Sequence, residues 1–159
     1  MSKSTLKTNA MRELDAAGIA YECHVIETDR ALSGIEAAAA LGQDAAGVFK
    51  TLVTQGKSGE HYVFMVPVAE ELDLKKAAAA VGEKAVAMIP QRDLLPLTGY
   101  VHGGCSPIGM KKPFRTTIDE TAQLFDAISF SGGRIGCQLT MAPDALDQMV
   151  GLTYADIVK

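Results

Sequence analysis

Residues Tyr100 to Lys112 read Tyr-Val-His-Gly-Gly-Cys-Ser-Pro-Ile-Gly-Met-Lys-Lys, which crowds an imidazole, a thiol, a hydroxyl and two ammonium groups into one loop. Gly103 and Gly104 lack a Cβ, so their backbone N–H groups can approach a ligand closely. Two adjacent glycines also permit a concave nest of N–H groups that suits a carbonyl or anionic oxygen. Ser106-Pro107 stiffens the exit from the turn. The same residues also build an ordinary Gly/Pro turn, and the loop alone leaves both readings open. Cys105, with His102 three positions before it, has the makings of a nucleophile and its base. No acid is placed to orient that histidine, and a cysteine in such a loop also serves as a small apolar filler.

Lys50 is the second chemical residue. It lies in a β-type run, Val48 to Thr54, and shares a face with Leu52 under period-two alternation. An ammonium among core leucines needs an anion nearby; a lysine on an edge strand instead carries its head into solvent. A second glycine pair, Gly132-Gly133, precedes Arg134. It is either a plain hairpin turn or a second wall for a ligand, with the Ser131 hydroxyl at its edge. Lys111, Lys112 and Arg115 form a local basic cluster that suits a phosphate backbone or simply a solvated surface, and Lys75-Lys76 forms another. No metal-ligand spacing, phosphate-binding loop or dinucleotide fingerprint is present, so neither a metal nor a cofactor is expected.

These residues must be held by a chain of 159 residues, which fits one domain spanning 1–159 with a core that needs no disulfide or metal. The formal net charge of −4 makes a general DNA binder unexpected; RNA would have to meet a local basic patch. Three scattered cysteines, Cys23, Cys105 and Cys137, fit a reducing compartment, with Cys23 and Cys137 read as core residues of strands. No apolar run approaches the ~18 residues of a membrane span, and no signal peptide is visible. The expectation is a cytoplasmic protein away from membranes.

The positioning elements follow from periodicity. Leu6, Ala10, Met11, Leu14 and Ala17 predict a helix capped at Ser4 or Thr5 and ended by Gly18. Tyr21 to Ile26 predicts a strand, with Cys23 and His24 on opposite faces. Ser33 and Glu36 form a capping box before an alanine-rich helix. The runs 47–54 and 61–68 predict a hairpin, and the unbroken apolar stretch Val63 to Val66 predicts a central strand covered on both faces. A helix over 72–81, a strand at 85–89 and a brief helix at 90–95 lead to the glycine loop. Beyond it come a strand at 116–119, a helical turn at 121–125, a hairpin of 127–131 with 135–140, a helix over 142–150 and a docked apolar end. Several connections are too short for parallel crossovers. The fold expected is α/β (α+β): a mixed, largely antiparallel, barrel-like sheet surrounded by helices.

Four segments in this order carry a resemblance: Val-Phe-Lys-Thr-Leu-Val (48–53), Leu-Asp-Leu-Lys-Lys-Ala (72–77), Thr-Gly-Tyr-Val-His-Gly-Gly-Cys-Ser-Pro-Ile-Gly (98–109) and Ser-Gly-Gly-Arg (131–134). Together they resemble the YbaK/EbsC family of aminoacyl-tRNA deacylases, related to the editing domain of bacterial prolyl-tRNA synthetase. The resemblance implies a barrel-like mixed α/β fold. It implies removal of a wrong amino acid from tRNA, best known for cysteine on tRNA(Pro), sometimes alongside prolyl-tRNA synthetase. It implies that Lys50 is essential, that Gly103 lines the site and that Ser131 faces it. It also implies cleavage without a protein nucleophile, the thiol of the bound cysteine attacking its own ester. The full set of expected site residues is Lys50, Gly103 and Gly104 for catalysis, with Ser131, Gly132, Gly133, Ile26 and Ser106 against the substrate. Three positions depart from the family pattern: Ile26 stands for a tyrosine, Gln138 for an acid, and Cys105 for an apolar residue. Two other functions remain open from the residues: a binding module for a nucleotide or peptide, and a Cys105–His102 thiol enzyme.

Overall fold

The computed structural model describes residues 7–27 and 32–159. Helix α1 (Asn9–Ala17) begins one turn later than its apolar spacing predicts. Its cap is Thr8, whose hydroxyl accepts the Met11 N–H at 3.2 Å; the expected caps Ser4 and Thr5 lie outside the described residues. Gly18 ends it in the left-handed region at φ 70°, which glycine adopts without a Cβ penalty. Strand β1 (Glu22–Val25) follows. Helix α2 (Gly34–Ala40) opens with the expected capping box, Ser33 and Glu36 each satisfying the other's backbone N–H.

Strands β2 (Phe49–Gly56) and β3 (His61–Pro67) form the antiparallel hairpin. Helix α3 (Leu74–Val81) is capped by Asp73, which accepts from Lys75 and Lys76 N–H. Strand β4 (Val86–Met88) pairs with the far end of β2, and α4 (Leu94–Thr98) leads into the glycine loop. Strand β5 (Arg115–Asp119), the hairpin β6 (Ile128–Ser131) and β7 (Cys137–Met141), helix α5 (Pro143–Val150) and strand β8 (Leu152–Ala155) complete the chain.

The strands form two sheets, ordered β1-β7-β6 and β4-β2-β3-β5-β8. The first is antiparallel throughout; in the second, β5 runs parallel to both β3 and β8. Among the described residues a single parallel bridge, Val48 to Ser129, joins the sheets where β2 meets β6. The sheets do not close into a ring, so barrel-like describes the fold only loosely. The run Val63 to Val66 is central as expected, and the reason for its unbroken apolarity is visible. Met65 joins the main core with Phe49, Phe130, Leu139 and Leu146, whereas Phe64 and Val66 pack under α3 with Ala77, Ala78 and Val81. The C-terminal segment is docked: Asp73 N–H donates to Ile157 O at 2.8 Å, and Ile157 is fully buried. Cys23 corrects one expectation, since it is exposed on β1; Cys137 is buried.

Candidate active site

After the Val48–Ser129 bridge, β2 and β6 part instead of continuing the ladder. A cavity of about 390 Å³ fills the fork. Its lining comes from β2, the end of β1 at Ile26, the start of α2, the loop at His102 and Gly103, and the β6–β7 hairpin at Ser131, Gly136 and Gln138. Six consecutive residues, Val48 to Val53, border it. A strand alternates its side chains, so a run without gaps means that the cavity lies along the edge of β2 and not over one face. β4 and the residues flanking it cover that edge only from Val53 onward.

Lys50 sits on this open edge, half-buried, opposite Val66 in the β2–β3 register. Its ammonium has no ion-pair or hydrogen-bond partner among the described residues. The cavity lining contains no carboxylate among the described residues. A half-buried cation with no fixed counterion attracts an anion from outside the fold. Two of the buried side-chain oxygens that lack a hydrogen-bond partner, on Thr51 and Gln138, also belong to cavity residues. Native interiors leave few such atoms unsatisfied, and those that remain collect at working sites.

The expected site residues separate into two groups. Lys50, Gly103, Ser131 and Ile26 border the cavity together. Gly104, Gly132, Gly133 and Ser106 do not; they hold the walls in place. The N–H of Gly104 already donates to Val101 O at 3.0 Å, and a Cβ there would come within 2.9 Å of the Arg134 backbone. Gly104 is therefore a contact point between the two glycine loops. The N–H of Gly103, at φ 87°, has no acceptor among the described residues and stays available. Gly132 gives its carbonyl to the Thr8 hydroxyl at 2.6 Å, and Gly133, at φ 107°, lies against Tyr100. Ser106 is fully buried and accepts the Ile108 N–H at 3.3 Å.

Three fastening residues were not visible in the residue pattern. Thr8 holds the second glycine loop, and Asn9, next to it, donates to Gly109 O of the first at 2.9 Å. The N-terminus of α1 thus fixes both loops. Tyr100 donates to Ile108 O at 2.6 Å across its own loop, and burial raises its phenol to about 12. The only sequence signal for this role is the adjacency of Thr8 and Asn9 at a helix start.

The two buried thiols are not poised to react. Burial raises Cys105 to about 12, and it packs with Val53, Val63 and Tyr100. Cys137 is likewise raised to about 12 by burial, with Cys23 Sγ 3.8 Å away. Both stay protonated near neutral pH, the opposite of what a thiol nucleophile requires. Among the described residues no three of His, Cys, Asp and Glu group as a metal site, and no helix is long and apolar enough to cross a membrane.

Fold and cavity together define a mixed α/β domain whose two sheets part around a small cleft bearing a cation without a counterion. The chain belongs to the aminoacyl-tRNA editing domain family, whose model matches residues 30–149. It is 42% identical over 156 residues to the Enterococcus faecalis protein named "Putative Cys-tRNA(Pro)/Cys-tRNA(Cys) deacylase EbsC", covering 98% of this chain and 95% of that protein. A crystal structure titled as a "putative trans-editing enzyme for prolyl tRNA synthetase" superposes with a TM-score of 0.84 at 26% identity, covering 98% of this chain and 99% of that one. A hypothetical protein of known crystal structure, 22% identical, shares the fold with a TM-score of 0.87 over 96% of this chain and 100% of its own.

Proposed function

We propose that this protein is a trans-acting deacylase that removes a wrongly attached amino acid from tRNA, with cysteine on tRNA(Pro) as the first substrate to test. The observation that carries the reading is the partnerless ammonium of Lys50 in a cavity of about 390 Å³, room enough for an aminoacyl group together with part of the nucleotide that bears it. The anion it receives is the phosphate of the terminal nucleotide of the acceptor end. The substrate's name comes from the Enterococcus relative, 42% identical to this chain.

The cavity offers no ionised thiol and, among the described residues, no carboxylate to attack an ester. That supports cleavage by the substrate's own nucleophile. The cysteinyl sulfur attacks its ester carbonyl carbon, a carbon–sulfur bond forms, and the bond to the ribose oxygen breaks. The thiol proton passes to that oxygen as it leaves, giving a cyclic thioester and free tRNA. The enzyme supplies position and a donor for the developing oxyanion. Gly103 N–H is suited to that donation; Gly104 N–H, already bonded to Val101, is not. Lys111, Lys112 and Arg115 are exposed beyond the glycine loop and suit the acceptor stem; prolyl-tRNA synthetase is the proposed partner for the rest of the grip.

The test is a panel of mischarged tRNAs assayed with wild type and Lys50→Ala. Wild type is expected to discharge Cys-tRNA(Pro) and the variant to lose at least about a hundredfold, on the scale of one lost electrostatic contact to the reacting group. Full activity in a folded Lys50→Ala protein would remove the lysine from the mechanism. Release from no charged tRNA, with saturable ligand binding kept, would favour the binding-module reading.

A further inference from the structure

The mechanism above uses side chains and one loop N–H, but the cavity also borders bare strand backbone. The hydrogen-bond directions of β2 can be read from its ends. Val48 O accepts from Val68 N–H and Gly56 N–H donates to Glu60 O, so even-numbered residues point toward β3. Val53 O accepts from Ile89 N–H at 3.3 Å and Lys57 N–H donates to Ala85 O at 2.9 Å, so odd-numbered residues point to the opposite edge. On that edge the β4 side ends at the Ile89–Val53 bond and the β6 side at the Val48–Ser129 bridge. A parallel bridge centred on Val48 is made by the outward groups of its neighbours Gly47 and Phe49, so between Phe49 and Val53 lies Thr51, whose N–H and C=O point away from β3 and meet no strand among the described residues. Thr51 borders the cavity.

An unpaired strand edge is a ready template for main-chain pairing. This gap is too short for a peptide, because the sheets join on one side and β4 closes the other. It is one outward-pointing residue wide. An aminoacyl ester is the ligand that matches it. Its α-amine and ester carbonyl are the donor and acceptor of a single residue, separated as in a peptide. Two residues facing each other in an antiparallel hydrogen-bonded pair exchange both bonds.

We propose that the backbone of Thr51 recognises the aminoacyl group as a one-residue strand, its C=O accepting from the α-amine and its N–H donating to the ester carbonyl. This deepens the deacylase reading and rests on it. Recognition is then independent of the amino-acid side chain and dependent on the amine. The size of the cavity discriminates between side chains, while the Thr51 edge requires that the acyl group be an aminoacyl group. Lys50, the preceding residue, takes the phosphate, so two adjacent residues of β2 read the aminoacyl group and the nucleotide that carries it.

The test uses the full chain labelled with nitrogen-15 and two hydrolysis-resistant probes. One is adenosine 5′-monophosphate carrying cysteine through a 3′-amide; the other carries 3-mercaptopropionate there and lacks the amine. The cysteinyl probe is expected to move the Thr51 amide proton downfield and slow its exchange, and to bind about tenfold more tightly than the des-amino probe. A cysteinyl probe that moves Lys50 and Gly103 resonances but leaves the Thr51 amide unchanged overturns the proposal, as does equal affinity for both probes. Absence of any shift in cavity resonances also overturns it. Discharge of charged tRNA, measured separately, reports on the deacylase reading. An amine-dependent Thr51 response without discharge would keep the recognition and remove the reaction.

Discussion

Lys50 faces apolar neighbours: Leu52 on its own strand, and Val66 and Phe64, both fully buried, across the hairpin. An ammonium there, half-buried, has no fixed partner among the described residues, so an apolar side chain of similar length suits the position at least as well for folding. Lys50→Met is therefore expected to keep or raise the urea midpoint, by up to about 1 kcal/mol in stability, while abolishing activity. A lowered midpoint would show that the ammonium is stabilised by the protein itself. Cys105 gives the contrasting case. Its thiol is neutral at pH 7 because burial raises it, and it fills space beside Tyr100. Cys105→Ala is expected to keep turnover within about twofold, at a cost of about 1 kcal/mol for the small cavity left; a loss comparable to that of Lys50→Ala would restore the thiol to the mechanism. Lys50 stood out in the sequence as a lysine inside a β-branched run, but that run alone equally fits an edge lysine with its head in solvent, and its expected role came from the family resemblance. The separation of Gly103 from Gly104 was not legible. Two adjacent glycines look alike in a string, and only the hydrogen bond to Val101 and the approach of Arg134 show that they do different work.

The elements act as clamps on two loops. Helix α1 contributes no side chain to the cavity lining, yet its first residues hold both glycine loops through Thr8 and Asn9. Thr8→Val removes the cap on Met11 and the bond to Gly132 together. It is expected to cost about 1–2 kcal/mol and to weaken substrate binding while leaving Lys50 in place. Calorimetric melting with a KM measurement checks this; a stability loss with unchanged KM would confine Thr8 to capping. Gly104→Ala tests the loop contact directly, because a Cβ would meet backbone at 2.9 Å, which cannot swing aside as a side chain can. A loss of about 1–3 kcal/mol is expected, with a rise in KM; a neutral result would mean that the two loops are not coupled. The helices and hairpins were legible from caps and alternation. Strand β8 was not, because Leu152–Ala155 is short and pairs with β5, a partner more than thirty residues earlier in the chain. Nor does any local pattern announce that β3 and β5 run parallel, since that register depends on the whole excursion through α3, β4 and α4.

At the scale of the molecule, the site exists because two sheets share one bridge and then separate. A closed barrel would pair the edge of β2, and the cavity would be lost. The fold holds that opening with tightly packed walls, and the packing has a consequence in alkaline solution. Three acids are buried in their neutral forms around the cleft: Cys105 and Cys137, each raised from 9.0 to about 12, and Tyr100, raised from 10.0 to about 12, all chiefly by burial. In the unfolded chain they ionise at their ordinary values. From pH 9 upward the folded state therefore holds protons that the unfolded state has released, and stability falls as pH rises until about pH 12. For Cys105 alone the difference from 9.0 to about 12 corresponds to a loss on the order of 4 kcal/mol across that window, a large part of a typical domain's stability. Urea denaturation at pH 7, 9, 10 and 11 is expected to show a flat region to about pH 9 and then a steep decline. Cys105→Ala should decline less steeply, because one of the three groups no longer titrates, even though it starts lower at pH 7. An equal slope in wild type and variant would mean that Cys105 ionises in the folded protein at its ordinary value. The thiol would then be accessible to base, and the reading of the cavity as one without a protein nucleophile would lose its support.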